Sequence, residues 1–469
     1  MKNLLSTTIK TTATALALTG VLTFTYGLET EASFNSDLET TILLDGESGK
    51  ILHEDNIDQP LPPASMVKMM SEYLVLEAIN EGDIAWDDTV SISEENAALS
   101  HNLAFSNVML RIDEEYTVEE LYESVAIYSA NAATMVLAEH IAGSEGAFVE
   151  MMNERGKELG LGTLMREEAE EYGMTDLEEI SNAELGDFQF VNSTGLPNSL
   201  LDDQYPEGTQ PDDDNYMSAR ATATLAYHLI NDYPEVLDTA SVPHMTFKEG
   251  TEDEISMPNW NKMLQGHLYE YGPMDGLKTG FTSAAGYSFA GTGEKGGQRL
   301  ISVVMKGASE QERFQETERI MEYGFNNFDE EVIHPVGESV DGYETLSVVR
   351  GTESEVDIVS GETLSMIMQE DDLENYELEV QFDPDYFDEE NRLVAPIDAE
   401  EQIGTLIANY SGEGSNNYIA GAAKENEVPI VTANEVEEAG WFSLTMRSIG
   451  GFFSSIWSTV ADTVSGWFS

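Results

Sequence analysis

A chain of 469 residues exceeds the usual size of one domain, so two folded domains with terminal extensions are expected. Its 89 acidic against 21 basic residues give a formal net charge of -68, a field that repels phosphates and argues against nucleic-acid binding, while 41% hydrophobic residues exclude wholesale disorder. The absence of cysteine removes disulfides, thiolate metal sites and cysteine nucleophiles.

Residues 1–32 have the form of a signal peptide: Lys2 and Lys10 lead an apolar run over 13–28, and Thr30-Glu31-Ala32 offers a small-x-small cleavage site. Export to an extracytoplasmic location follows, and the acid excess is read as adaptation to a high-salt, halophilic setting where screening tolerates dense carboxylates. Residues 40–44 read as a strand, 45–49 as a turn and 50–54 as the returning strand of a hairpin at a sheet edge. Leu61-Pro62-Pro63-Ala64 stops regular structure. Met66, Met69, Met70, Tyr73, Leu74, Leu76 and Ile79 then follow at helical spacing, placing Ser65 in a first turn and Lys68 one turn later on the same face.

Thr117-Val118-Glu119-Glu120 has the form of a capping box, so a helix is expected to run from there to Tyr128, with another over 132–140. Tyr128-Ser129-Ala130-Asn131 lies between them. The acidic stretch 163–187 is expected to be a solvated loop or short helix with none of its glutamates singled out. Helices are expected over 217–232 and, briefly, 260–264. Gly276-Leu277-Lys278-Thr279-Gly280 leads into two apolar segments, 287–291 and 300–305, read as adjacent antiparallel strands. A helix over 314–323 precedes a boundary near Phe328, beyond which alternation at Tyr376, Leu378, Val380 and Phe382 marks a small all-β domain over 330–435. Over 436–469, Ile449, Phe452, Phe453, Ile456, Trp457 and Val460 recur at three- and four-residue steps, and three of the five tryptophans lie there. That pattern suggests an amphipathic helix lying in a bilayer surface, too interrupted to span it.

The scattered histidines show no metal-ligand spacing, and Gly143, Gly146 and Gly160 form no phosphate cradle, so neither a metal nor a cofactor is expected. Chemistry centres on Ser65. A serine hydroxyl needs a nearby base, and Lys68 is within reach of it on one helix face. Burial and neighbouring positive charge lower such an amine's pKa toward that of a working base. A lone Ser-x-x-Lys is commonplace, as are Ser129-x-Asn131 between helices and Lys278-Thr279-Gly280 in a turn. Together, in that order, they are the signature set of penicillin-binding proteins and serine β-lactamases.

On these motifs, and on Asn192-Ser193-Thr194-Gly195-Leu196 and Phe325-Asn326-Asn327-Phe328, the sequence resembles low-molecular-weight penicillin-binding proteins of the serine-type D-alanyl-D-alanine carboxypeptidase family. The resemblance implies an α+β, β-lactamase/transpeptidase-like catalytic domain over 33–329, an antiparallel sheet flanked by helices. It implies removal of terminal D-alanine from peptidoglycan stem peptides through an acyl-enzyme on Ser65, with β-lactam antibiotics as covalent inhibitors. Lys68 is then the acylation base, and Ser129 relays a proton to the leaving amine. Asn131 holds the substrate amide, while Lys278, Thr279 and Gly280 bind the terminal carboxylate. The backbone N–H groups of Ser65 and Phe281 form the oxyanion hole. Asn192-x-Thr194 also fits the glycosylation acceptor pattern, but a structural or substrate-groove role is preferred there. A β-lactamase, a D,D-endopeptidase and a non-enzymatic wall-binding scaffold are the alternatives; alanine at position 130, where the β-lactamase pattern has aspartate, argues against the first.

Overall fold

The computed structural model describes residues 34–201, 204–412, 417–422 and 426–440. The signal peptide expected over 1–32, and residues 441–469 of the expected amphipathic segment, lie outside the described residues. Among those described, no helix is long and apolar enough to cross a membrane.

Strands β1 (Thr40–Asp45), β2 (Ile51–Asp55), β3 (Met274–Thr282), β4 (Gly286–Lys295) and β5 (Gln298–Gly307) form an antiparallel sheet in the order β2-β1-β5-β4-β3. The hairpin expected at residues 40–54 supplies one edge. Strand β3, which carries Lys278, supplies the other. Apolar residues on both faces of β1 and β5 reflect their central place. Ile42, Leu44, Ile301, Val303 and Met305 enter one core, whereas Leu43, Leu300 and Val304 enter another with Phe314, Ile320 and Met321. Successive strand side chains point to opposite faces, so both layers follow from one run of sequence.

The first core is filled by helices α1 (Lys68–Glu81), α2 (Val118–Tyr128), α3 (Asn131–Ala142), α4 (Glu145–Glu158) and α5 (Ala219–Asp232), and α6 (Glu310–Asn327) covers the opposite face. Helix α1 is buried over most of its length, Lys68, Ser71 and Glu72 included, and ends where Gly82 adopts φ 79°. The capping box begins α2: Thr117 Oγ1 accepts from Glu120 N at 3.1 Å, and Glu120 Oε2 accepts from Thr117 N at 3.0 Å. On α6, a Cβ at Gly324 would lie 2.5 Å from Leu300 Cδ1, so glycine permits close approach of helix to sheet.

One expectation is corrected. Residues 260–264 form turns, not a helix. Asn259 Oδ1 accepts from Asn261 N at 2.8 Å and Asn261 Oδ1 from Met263 N at 3.1 Å, so side chains take the amides a helix would use. The acidic stretch, expected as a solvated loop or short helix, takes the helical form and adds a core beneath it. Its short helices Met165–Ala169 and Leu177–Asn182 close over a small core of Met165, Ala169, Leu177, Ile180, Val191 and Tyr216.

Beyond α6 the chain forms β6 (Asp329–His334), β7 (Thr345–Val349), β8 (Glu355–Ser360), β9 (Leu364–Met368), β10 (Tyr376–Phe382), β11 (Leu393–Val394), β12 (Gln402–Tyr410) and β13 (Glu427–Thr432). Six of them make a sheet in the order β10-β12-β13-β8-β7-β11, and β6 pairs with β9. The alternating strand β10 is an edge strand with its residues half-buried or exposed. Lys50, in the hairpin of the first sheet, donates to Ile367 O at 2.8 Å and Tyr376 Oη at 3.1 Å, a buried link between the two β regions.

Candidate active site

Pro62 and Pro63 keep the chain out of a helix until Ala64, whose φ of 49° is unusual for a residue with a side chain. The chain then enters a 3-10 turn, Ala64–Val67, that continues directly into α1. Two glycines allow this bend to be held from outside. A Cβ at Gly195 would lie 1.9 Å from Ala64 O, and one at Gly280 would lie 2.4 Å from Pro63 O. Edge strand β3 and the 192–196 loop therefore pack backbone to backbone against the residues before Ser65.

Lys68 is fully buried, yet its Nζ lies 3.2 Å from Ser65 Oγ, 2.8 Å from Asn131 Oδ1 and 2.6 Å from Thr194 O. Lys68 Nζ donates to all three oxygens; on losing one proton the amine can keep both carbonyl oxygens and turn its lone pair to the Ser65 hydroxyl. Burial pushes the Lys68 amine well below the ordinary lysine range, and the positive charge of Lys278 pushes it further; Glu72 and Glu145 act in the opposite sense. Lys278 is buried too and is likewise lowered by burial, with Glu72 supporting its charge and Arg313 opposing it.

Ser129 ends α2 in the left-handed region, at φ 60° and ψ 37°. Its hydroxyl is buried and makes no hydrogen bond within the described protein, although it lines the cleft containing Ser65. Asn131 opens α3 and is engaged at both ends of its amide, Oδ1 by Lys68 and Nδ2 by Ser106 O at 3.0 Å. The cleft, about 370 Å³, is lined also by Phe105, Trp260, Thr279, Gly280, Phe281 and Tyr287. Ser65, Ser129, Asn131, Thr279, Gly280 and Phe281, which are far apart in sequence, thus line one cleft; Lys68 is joined to it by its bonds to Ser65 and Asn131, and Lys278 is buried on β3 next to Thr279.

Several supporting residues were not singled out by sequence. Trp260 Nε1 donates to Ser106 Oγ and to Tyr128 O, each at 3.0 Å, and its ring stacks on Tyr128 at 6.0 Å, making one wall. Arg313 is buried and donates to Gly280 O and Ser288 O, both at 3.2 Å, bracing β3 from α6. Glu145 Oε1 accepts from Ser193 N at 3.0 Å and Ser193 Oγ at 2.6 Å. Asn192 is fully buried, its Oδ1 accepting from Thr194 N and Gly195 N and its Nδ2 donating to Leu196 O. This loop presents Thr194 O to Lys68, so the role of Asn192 is structural and its amide is closed to glycosylation. None of Glu167, Glu168, Glu170 and Glu171 lines the cleft. The one available signal was composition: Arg313 and Trp260 belong to scarce residue types in this chain.

A serine hydroxyl within hydrogen-bond distance of a buried lysine, with a second buried lysine on an adjacent strand edge, is the arrangement of a serine acyl-transfer enzyme. Residues 29–184 and 163–309 match the Peptidase_S11 family, described as D-alanyl-D-alanine carboxypeptidase, and the chain belongs to that family. Residues 328–438 match the C-terminal domain of penicillin-binding protein 5. The chain is 29% identical to D-alanyl-D-alanine carboxypeptidase DacC of Escherichia coli, covering 92% of this chain and 90% of that protein. It is 26% identical to DacF of Bacillus subtilis, over 88% and 90%. Among solved structures, a peptidoglycan synthesis regulatory factor (PBP3) from Streptococcus pneumoniae has a TM-score of 0.66 at 31% identity, covering 86% of this chain and all (100%) of that one. Penicillin-binding protein 5 from Haemophilus influenzae has a TM-score of 0.61 at 26% identity, covering 87% and 99%.

The protein is a serine-type D-alanyl-D-alanine carboxypeptidase that acts on peptidoglycan stem peptides and is inhibited by penicillin. Its α+β fold, a transpeptidase-like unit followed by a smaller β-rich one, is the fold the motifs implied. Such a substrate sets its place of work outside the cytoplasm, peripheral to the membrane.

Proposed function

We propose that Ser65 is the nucleophile, with Lys68 as its base, Ser129 as the relay to the leaving amine, and Lys278 with Thr279 and Gly280 as the carboxylate-binding edge. The observation that carries this reading is the hydrogen-bond set of Lys68, which holds a fully buried amine against the serine hydroxyl. In acylation the Ser65 proton passes to Lys68 as Oγ attacks the carbonyl of the penultimate D-alanine. The oxyanion that develops is held by the N–H groups of Ser65 and Phe281, where donors act only as charge forms. Collapse breaks the peptide bond, and Lys68 returns the proton through Ser129 to the departing D-alanine nitrogen. Water then cleaves the ester and restores Ser65.

Lys278 supplies the charge that binds the terminal carboxylate, and Arg313 holds its strand in place. Asn131 keeps Lys68 in line, and its Ser106 contact is the one to exchange for a substrate amide. Residues 33–329 are read as the catalytic domain and 330–435 as an all-β domain. The segment 436–469 is read as the attachment to the outer face of the cytoplasmic membrane, after export and removal of residues 1–32. The net charge of -68 supports a saline medium. Release of D-alanine from a D-alanyl-D-alanine pentapeptide by the purified protein, compared with Ser65→Ala, tests the central claim. The expected outcome is turnover and covalent penicillin labelling in the wild type and neither in S65A. Labelled, active S65A would refute it, and rapid penicillin turnover would favour a β-lactamase.

A further inference from the structure

The Ser129 hydroxyl makes no hydrogen bond within the described protein, so nothing at the tip of its side chain fixes where it sits. Its place is set by the backbone of the turn it occupies. That turn puts Ser129 in the left-handed region at φ 60°, which is unfavourable for a residue with a Cβ and has to be held. Ser129 N to Val125 O and Ala130 N to Ser124 O, each at 3.0 Å, close it on the α2 side. The Tyr128 carbonyl, just before Ser129, is one of those that a helix end leaves without an intrahelical partner.

Two donors take that carbonyl. Ser106 Oγ donates to Tyr128 O, and Trp260 Nε1 donates to Tyr128 O and to Ser106 Oγ, at 3.0 Å each. Ser106 also grips the far end of the motif, its carbonyl accepting from Asn131 N at 2.9 Å and from Asn131 Nδ2 at 3.0 Å. Trp260 is anchored to the sheet side of the cleft by its neighbours. Asn259 Nδ2 donates to Ala240 O at 3.1 Å and to Val242 O at 3.0 Å, while Asn261 Nδ2 donates to Gly276 O at 3.4 Å, on the strand that carries Lys278 and Thr279. Both asparagines are buried, whereas Trp260 between them is 39% exposed and lines the cleft with Ser65, Ser129 and Thr279. The indole thus ties the Ser129 turn, built on helices, to β3.

We propose that Trp260 is a positioning residue for the reaction: its indole N–H, shared between Tyr128 O and Ser106 Oγ, holds the 128–131 turn in register with β3, so that the Ser129 hydroxyl meets the departing nitrogen of a substrate seated on that strand. This rests on the role of Ser129 as the proton relay given above. The stacked ring forms the wall, and the N–H forms the tie. Phenylalanine at this position keeps the first and removes the second.

The test is steady-state D-alanine release, with penicillin acylation as a second readout, in wild type, Trp260→Phe, Ser129→Ala and the double variant. Tyr128 O keeps its Ser106 donor in W260F and the site is partly exposed, so the variant is expected to fold. Its kcat and kcat/KM are expected to fall together by about tenfold or more with KM unchanged, the pattern of lost transition-state geometry. In the S129A background the same substitution is expected to change the rate by less than about twofold, because no hydroxyl is left to place. A folded W260F within about twofold of wild-type kcat, in an assay where S129A is impaired, overturns the proposal. So does a loss confined to KM, which would make Trp260 a substrate contact, or an equal loss in both backgrounds. If W260F does not fold, Trp260→Tyr is read in the same cycle; if neither variant folds, Trp260 is a structural group and the proposal falls. An S129A protein with wild-type rates would instead overturn the relay assignment of Ser129, a distinct outcome.

Discussion

Replacing Ser129 with alanine separates catalysis from stability. The Ser129 hydroxyl is buried, faces the cleft and makes no hydrogen bond within the described protein, so its removal breaks none. The backbone bonds that hold the turn, Ser129 N to Val125 O at 3.0 Å and Ala130 N to Ser124 O at 3.0 Å, do not involve the side chain. Alanine meets the same left-handed backbone that serine already tolerates at φ 60°. A buried hydroxyl without a partner costs about 1–3 kcal/mol, part of which S129A recovers, so stability is expected to be unchanged or to rise by about 1 kcal/mol. Activity should move the other way. A proton relay contributes about 10²–10⁴ in rate, so kcat/KM for D-alanine release falls by that factor. That fall corresponds to about 3–5 kcal/mol of lost transition-state stabilisation. Calorimetric unfolding and a D-alanine release assay on the same preparation measure both. Activity within tenfold of wild type, or destabilisation by about 2 kcal/mol or more, would refute the reasoning.

Four further outcomes follow from the structure and the sequence. Gly195→Ala forces a Cβ against Ala64 O, 1.9 Å away, and strains a residue at φ +77°; a lower Tm and at least a hundredfold (~10²) slower penicillin acylation are expected. Burial raises the Glu145 carboxyl to about 7 in the folded protein. The folded state therefore keeps a proton that the unfolded chain loses near pH 4.3, so this group's contribution is full below that pH and is lost as pH rises to about 7. In Glu145→Gln the fall in stability between those limits should flatten, with a gain of up to about 3 kcal/mol at pH 8, read from denaturant midpoints. Truncation after Glu438 is expected to leave turnover of small soluble peptides unchanged and to abolish liposome flotation; unchanged flotation would remove the membrane reading. Raising KCl should raise Tm as surface carboxylates are screened, and a flat response would count against adaptation to salt.

The local elements were largely legible because local rules made them. Alternation, proline stops and a capping box announced β1, the approach to Ser65 and the start of α2. The expected helix at 260–264 failed because asparagine side chains captured the local amides, a competition that apolar spacing does not register. The acidic stretch hid its small core because a few apolar side chains, spread over two short helices, leave little periodic signal.

By itself the sequence determined which groups are available for the chemistry: one Ser-x-x-Lys on a helix start, one Ser-x-Asn between helices and one Lys-Thr-Gly before two apolar strands. Only the tertiary structure decided their states. Thr194 O and Asn131 Oδ1, from segments remote in the chain, fix the Lys68 amine beside Ser65, and burial pushes it well below the ordinary lysine range. Charge, unlike helical periodicity, depends on everything nearby in space, so the balance among Lys68, Lys278, Glu72 and Arg313 was not present in any window of sequence.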